Sequence, residues 1–141
     1  MRYVLDSCIA VKWFLAEVDS AKAIQLRDQF DQQIHDLLAP DVFPVEIAHA
    51  LSRAERRGLI QPIDGSQHLS DLLAFLPTLY ASVSLLPRAY EISSQARIGV
   101  YDCLYVALAE REGCDLITSD SRLMNSLRPA YSFIMSLASL P

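Results

Sequence analysis

Short apolar runs alternate along this chain with stretches of helical periodicity, and that alternation restricts the fold to one class. Tyr3-Val4-Leu5, Leu37-Leu38-Ala39, Val83 to Leu86, Asp115 to Thr118 and Ser132 to Met135 are each short enough to read as buried strands. Between them lie the helical patterns. Cys8 to Leu15 is the first, and Ala21 to Ile34 carries Ala23, Leu26, Phe30 and Ile34 on one face. A third is expected to start at Pro40-Asp41, with Asp41 as its cap, and to run to about Arg57, where Gly58 ends it. Asp64-Gly65-Ser66 is expected to cap a helix bearing Leu69, Leu72, Leu73 and Leu76, stopped by Pro77. Pro87 is expected to open a helix ending near Gly99. Tyr101 to Glu112 is a helix closed by Gly113, and Ser119-Asp120 caps a short one. Strands that alternate with helices in this way build an α/β sandwich on a mostly parallel sheet. Its length suits a single domain over residues 1–141.

Composition narrows the function. Apolar residues make up 52% and charged residues 21%, which excludes a disordered chain. There are 17 acids against 12 Lys and Arg, a net charge of −5. A protein that held nucleic acid by charge alone would be basic, so any such binding needs a local patch or a metal. Three cysteines without a CxxC are expected to be reduced thiols of a cytoplasmic protein. Asp6 and Lys12 interrupt the first apolar stretch, so no signal peptide is expected. The longest uncharged run, Leu72 to Pro87, is 16 residues and broken by Pro77, Thr78, Ser82 and Ser84. A membrane span needs ~20 apolar residues, so no membrane partner is expected.

Four acids interrupt apolar contexts. Asp6 follows the first strand, Glu46 lies in Val45-Glu46-Ile47, Asp102 in Tyr101-Asp102-Cys103, and Asp120 follows the Asp115–Thr118 strand. In a parallel α/β sheet, ligands bind beyond the carboxyl ends of strands, where Asp6 and Asp120 are both placed. Taken singly, Asp6 and Asp120 also read as helix caps, Glu46 as a surface residue and Asp102 as a partner of the helix dipole. Taken together, carboxylates pressed against a core call for a neutralising cation. An all-oxygen donor set suits Mg²⁺. His49 and Arg53 follow Glu46 on one helical face and are candidates for contacting phosphate or orienting Glu46, with an exposed polar face as the alternative.

Other phosphate chemistries fit less well. No GxxxxGK[ST] loop exists. A phosphoaspartyl hydrolase would place an acid two residues after Asp6, where Cys8 stands. A receiver domain needs a late Lys, and the only lysines are Lys12 and Lys22. A single Glu46-x-x-His49 does not make the paired motif of a di-iron bundle.

These stretches resemble the PIN-domain ribonucleases, specifically the VapC-type toxins of bacterial toxin–antitoxin pairs. The matching segments are Tyr3 to Ser7 with Ala10 to Phe14, Glu46 to Leu51, Tyr101 to Ala109, and Thr118 to Leu123. The resemblance implies a PIN-like three-layer sandwich and a catalytic cluster of Asp6, Glu46, Asp102 and Asp120. Asp6 and Asp102 would be the principal Mg²⁺ ligands, with Glu46 and Asp120 as further ligands directly or through water, and Mn²⁺ as a substitute ion. Ser7 and Thr118 or Ser119 would be supporting hydroxyls, with His49 and Arg53 beside them. The chain departs from the family pattern at His49, Cys103 and Gly99-Val100. The resemblance further implies an RNA substrate, a homodimer and a cognate VapB-type antitoxin. The alternatives are a catalytically idle binding module of the same fold and a nuclease acting on another nucleic acid.

Overall fold

The structure, a computed structural model, describes residues Met1–Pro141. Five parallel strands form one sheet: β1 (Arg2–Leu5), β2 (Asp36–Pro40), β3 (Thr78–Tyr80), β4 (Asp115–Thr118) and β5 (Ile134–Ser136). Their spatial order is β3-β2-β1-β4-β5. Parallel neighbours need long crossovers, and these carry seven helices: α1 (Ser7–Val11), α2 (Ser20–Asp31), α3 (Phe43–Arg56), α4 (Pro62–Leu73), α5 (Ser82–Ala96), α6 (Val100–Glu112) and α7 (Ser121–Leu127). Central strands covered on both faces read as unbroken apolar runs. Val4, Leu5, Leu37, Ala39, Leu116 and Ile117 are accordingly fully buried. No helix is long and apolar enough to cross a membrane.

The register decides where the acids stand. Tyr3 pairs with Asp115 and Leu5 with Ile117, so the carboxyl ends of β1 and β4 finish side by side. The Asp6 amide extends that ladder by one bond to the Ile117 carbonyl at 3.1 Å. The chain winds from β1 through β2 to β3 on one side, then crosses to β4 and β5 on the other. The order therefore reverses between β1 and β4, which opens a crevice just beyond Leu5 and Thr118.

α6 brings in a third acid. Residues Cys103 to Ala109 are all buried, so the middle of this helix is apolar all round and lies inside the molecule. Gly113, at φ 64°, terminates it in the left-handed conformation expected of a C′ glycine. Cys103 is fully buried among these apolar residues.

The structure corrects several local expectations. Val83 to Leu86 is not a strand. It lies inside α5, whose buried residues Ser82, Leu85, Ala89 and Ile92 follow a helical stripe. The strand is Thr78–Tyr80 instead, and Pro87 sits within α5. Proline removes the hydrogen bond to the carbonyl four residues back, here that of the exposed Val83, where water can replace it. Asp41 does not cap α3, which starts at Phe43; its Oδ1 accepts bonds from the amide and hydroxyl of Ser82, tying β2 to α5. Asp64 does not cap α4 either. That helix starts at Pro62, and Ala74 ends it before Pro77 is reached.

Candidate active site

Asp6 is 5% exposed and follows β1 directly. It occupies the N-cap position of α1, yet its side chain makes no cap hydrogen bond. Instead Oδ2 accepts the Thr118 hydroxyl at 2.7 Å and the Cys8 thiol at 3.2 Å. Thr118 Oγ1 in turn accepts the Asp120 amide at 3.0 Å, so a short relay joins the ends of β1 and β4. Cys8 Sγ also receives the Ser119 amide and hydroxyl at 3.5 and 3.4 Å. No side chain donates to Oδ1 of Asp6. Burial pushes its carboxyl up, the Thr118 and Cys8 bonds oppose the shift, and the charge of Asp120 adds to it.

The other three acids surround this centre differently. Asp120 is a working cap: its Oδ1 accepts the amides of Arg122 at 2.9 Å and Leu123 at 3.2 Å. Asp102, in the first turn of α6, is half-buried and has no side-chain hydrogen bond. Burial, and then the charges of Asp6 and Asp120, push it up to about 6, against a small lowering by Arg122. Glu46, on α3, accepts the hydroxyl of fully buried Tyr105 at 2.5 Å. Burial pushes Glu46 up to about 7; the Tyr105 bond lowers it, and Asp6 and Asp102 raise it further. Glu46 feels the charges of Asp6 and Asp102, and Asp102 those of Asp6 and Asp120, so the β1–α1 junction, α3, α6 and the β4–α7 turn bring the four towards one region.

The arrangement suits a particular kind of ion. No three Asp, Glu, His or Cys side chains are grouped so as to hold a metal by themselves. A closed cage is the habit of structural zinc. Mg²⁺ keeps several waters and takes one or two carboxylates, which a buried Asp6 with one oxygen engaged by no side chain and Asp102 without a side-chain partner can provide. Burial and the Asp6 charge push the Cys8 thiol up to about 12, so it stays a neutral donor to Asp6. Next to the acids lies a cleft of about 620 Å³ that takes in Ser7, Cys8, Glu46 and His49.

Comparison with known proteins decides the family. The PIN domain family model matches residues 3–126. The chain belongs to the PIN-domain family. A curated relative, Ribonuclease VapC3 of Pyrobaculum aerophilum, is 31% identical over 125 residues, 87% of this chain and 92% of that protein. The crystal structure of PAE2754 from Pyrobaculum aerophilum superposes with a TM-score of 0.70 at 19% identity, over 99% of this chain and 94% of the other. That of VapBC2 from Rickettsia felis bound to a DNA fragment from their promoter gives 0.65 at 14% identity, over 96% and 97%. Both structures share the fold.

Within this PIN chain the supporting residues divide. Thr118 is fully buried and bonds Asp6, Ser119 reaches Cys8, and Ser7 lies beside Glu46 and Tyr105. His49 lines the cleft but is exposed, and Arg53 is exposed with no partner in the site. The Tyr105 hydroxyl holds Glu46, with Ser7 as a further partner, and no hydrogen bond joins Glu46 to His49. Tyr105 and Cys8 are the two participants that sequence reasoning missed. Tyr105 reads in sequence as one more buried position of an apolar helix. Cys8 carried no signal, because a thiol donor to a carboxylate has no periodicity or spacing of its own.

Proposed function

We propose that this PIN chain is a Mg²⁺-dependent endoribonuclease acting as the toxin of a VapBC-type pair, with Mn²⁺ able to replace Mg²⁺. The observation that carries the reading is Asp6: a buried carboxylate, pinned through Oδ2 by Thr118 and Cys8, whose other oxygen no side chain engages. Such a group is stable as an anion only beside a cation. Asp6 and Asp102 would hold the ion, with Asp120 and Glu46 close by, directly or through water. When bound, the ion supplies positive charge at the scissile phosphate and a more acidic water. Glu46, raised to about 7 and anchored by Tyr105, is matched to take a proton at neutral pH. Asp120 is committed to two backbone amides, which supports a positioning role for it.

The relatives' names support RNA as the substrate, and the VapBC2 neighbour supports a VapB-type antitoxin as partner. A homodimer belongs to the same reading. Exposed Val83, Leu86 and Tyr90 follow one another along α5 and offer an apolar face to a second copy. The test is direct. Labelled structured RNA incubated with the antitoxin-free protein should be cut with Mg²⁺ or Mn²⁺ and left intact in EDTA. Equal cleavage in both would overturn the metal reading, and no cleavage of any RNA would favour an idle binding module.

A further inference from the structure

The cleft beside Glu46 is lined in part by residues that phosphodiester hydrolysis leaves unused. Glu17, Tyr101, Val11 and Val45 are among them. No Lys or Arg lines this cleft, whereas two carboxylates, Glu17 and Glu46, do. At the Glu17 and Tyr101 end of the cleft, away from the ion proposed at Asp6 and Asp102, an uncharged group carrying hydrogen-bond donors is a better occupant than a phosphate. Tyr101 is 60% exposed, although it borders an apolar wall. A flat aromatic side chain held open next to a nuclease centre is a stacking surface for an unpaired base.

Glu17 supplies the reading group. Its backbone amide donates to the Ser20 hydroxyl at 3.0 Å, which fixes the turn that carries it. Its Oε1 lies 3.4 Å from the ammonium of buried Lys12, which is held more closely by the Val18 carbonyl at 2.8 Å. Oε2 is engaged by no side chain. A carboxylate accepts two donors side by side. Among the four RNA bases only guanine presents two adjacent donors, N1–H and the 2-amino group, on its Watson–Crick edge.

Resting on the nuclease reading above, we propose that this cleft receives an unpaired guanine of the RNA next to the cleavage site, stacked on Tyr101 and read by Glu17. RNA proteins recognise splayed, single-stranded bases by this combination of stacking and edge contacts. Cleavage then falls in loops and single strands beside a guanine. The net charge of −5 fits this arrangement, because selection comes from a neutral base and not from backbone contacts.

The experiment has a binding arm and a cleavage arm. Single-stranded trinucleotides with guanine, inosine or adenine at the centre are titrated into the whole protein and followed by NMR. Inosine lacks only the 2-amino group. Guanine should bind about tenfold more tightly than inosine, the size of a paired edge contact. Glu17→Gln should erase that ratio while leaving the melting temperature and the Mg²⁺ dependence of cleavage unchanged. Tyr101→Ala should weaken all three about tenfold, and Tyr101→Phe should not. In the cleavage arm, replacing one guanine by inosine in a longer substrate should suppress the adjacent cut.

Equal binding of guanine and inosine, or an unchanged preference in Glu17→Gln, overturns the proposal. So does a result in which these variants lose only inhibition by a partner protein, since the cleft is then a protein surface. RNA cut without any base preference would end the guanine site and keep the nuclease. A guanine preference in a protein that cuts no RNA would end the nuclease reading and keep the site.

Discussion

The two ends of α6 both carry acids, and the contrast between them separates function from stability. At the first turn stands Asp102; at the last stand Glu110 and Glu112. The helix dipole alone would favour the first and disfavour the other two. The structure has the opposite order. Asp102 is pushed up to about 6, while Glu110 and Glu112 are held below the ordinary carboxylate range. The reason is partners. Arg88 grips Glu110 through two bonds, at 2.7 and 3.0 Å, and Arg2 grips Glu112 at 2.9 Å. Asp102 has burial and the neighbouring charges of Asp6 and Asp120 instead. A carboxylate with its own cation is already satisfied. One that folding presses against other carboxylates has no such partner within the chain.

The largest expected effect breaks the comparison at its unsatisfied end. Asp6→Asn and Asp102→Asn should each lower metal-dependent RNA cleavage by roughly 10²–10³-fold, as loss of one electrostatic element of a hydrolytic site does. Glu110→Gln should leave cleavage unchanged. Initial rates at saturating Mg²⁺ decide this, with circular dichroism confirming that each variant is folded. An Asp102→Asn protein that cuts RNA at the wild-type rate would remove Asp102 from the site.

The next effect is on stability, and its sign runs against intuition. Asp102 rises in the folded state from an ordinary 3.8 to about 6, so the folded protein holds a proton that the unfolded chain has released. Its contribution is at its best below about pH 3.8, declines as pH rises, and is a full penalty above about pH 6. In EDTA near neutral pH, Asp102→Asn should therefore be more stable than wild type by on the order of 1–2 kcal/mol. The advantage should fade towards about pH 4. Mg²⁺ should raise the melting temperature of wild type and raise that of the variant less. Thermal melts with and without metal check this; a variant less stable than wild type in EDTA would show that the four acids do not repel one another.

How much of this was legible in the sequence depends on where the physics is local. Asp6 and Asp120 were expected just beyond two strands and stand there, because strand ends are readable from short apolar runs. As cap candidates, Asp6 and Asp120 looked alike in sequence. They differ because Thr118 and Cys8 engage one carboxylate while backbone amides engage the other. The stretch from Thr78 to Leu86 went wrong for a reason of the same kind. Val83-Ser84-Leu85-Leu86 is apolar and short, and Pro87 resembles a helix start. Only packing against α6 shows that Leu85 belongs to a stripe running to Ile92. The contact between Glu46 and Tyr105 spans 59 residues and could not be read from spacing.

Tyr105→Phe sharpens the comparison at Glu46. The Tyr105 bond opposes the burial that raises Glu46, so removing the hydroxyl should push Glu46 further up. If Glu46 must be ionised to accept a proton, the rising limb of the pH–activity profile should move to higher pH. The move should be up to about one unit, the size of a ~1 kcal/mol hydrogen bond. Glu110→Gln should not move it. A limb that stays in place in Tyr105→Phe would mean that another group titrates.

The smallest effect belongs to the satisfied end. Arg88 bonds Glu110 twice and Glu91 once, and its side chain is 38% exposed. Exposed ion pairs contribute about 0.2–1 kcal/mol even when their geometry is good, because water already solvates both partners. Arg88→Met keeps most of the apolar stem, so it isolates the charge from the packing. It should lower the melting temperature by only about 1–3 °C, leave RNA cleavage unchanged, and lose its effect in about 1 M salt, where the screening length is ~3 Å. The pH slope should be opposite to that at Asp102. Glu110 sits below its ordinary 4.5 in the folded state, so its pairing stabilises the protein above that pH and is lost as pH falls through the folded value. Acid should therefore shrink the Arg88→Met difference through loss of wild-type stability, and shrink the Asp102→Asn difference through relief of a wild-type penalty. Denaturation curves of the two variants over the same pH range test that pairing. Parallel slopes would mean that the ends of α6 do not differ in the way their partners imply.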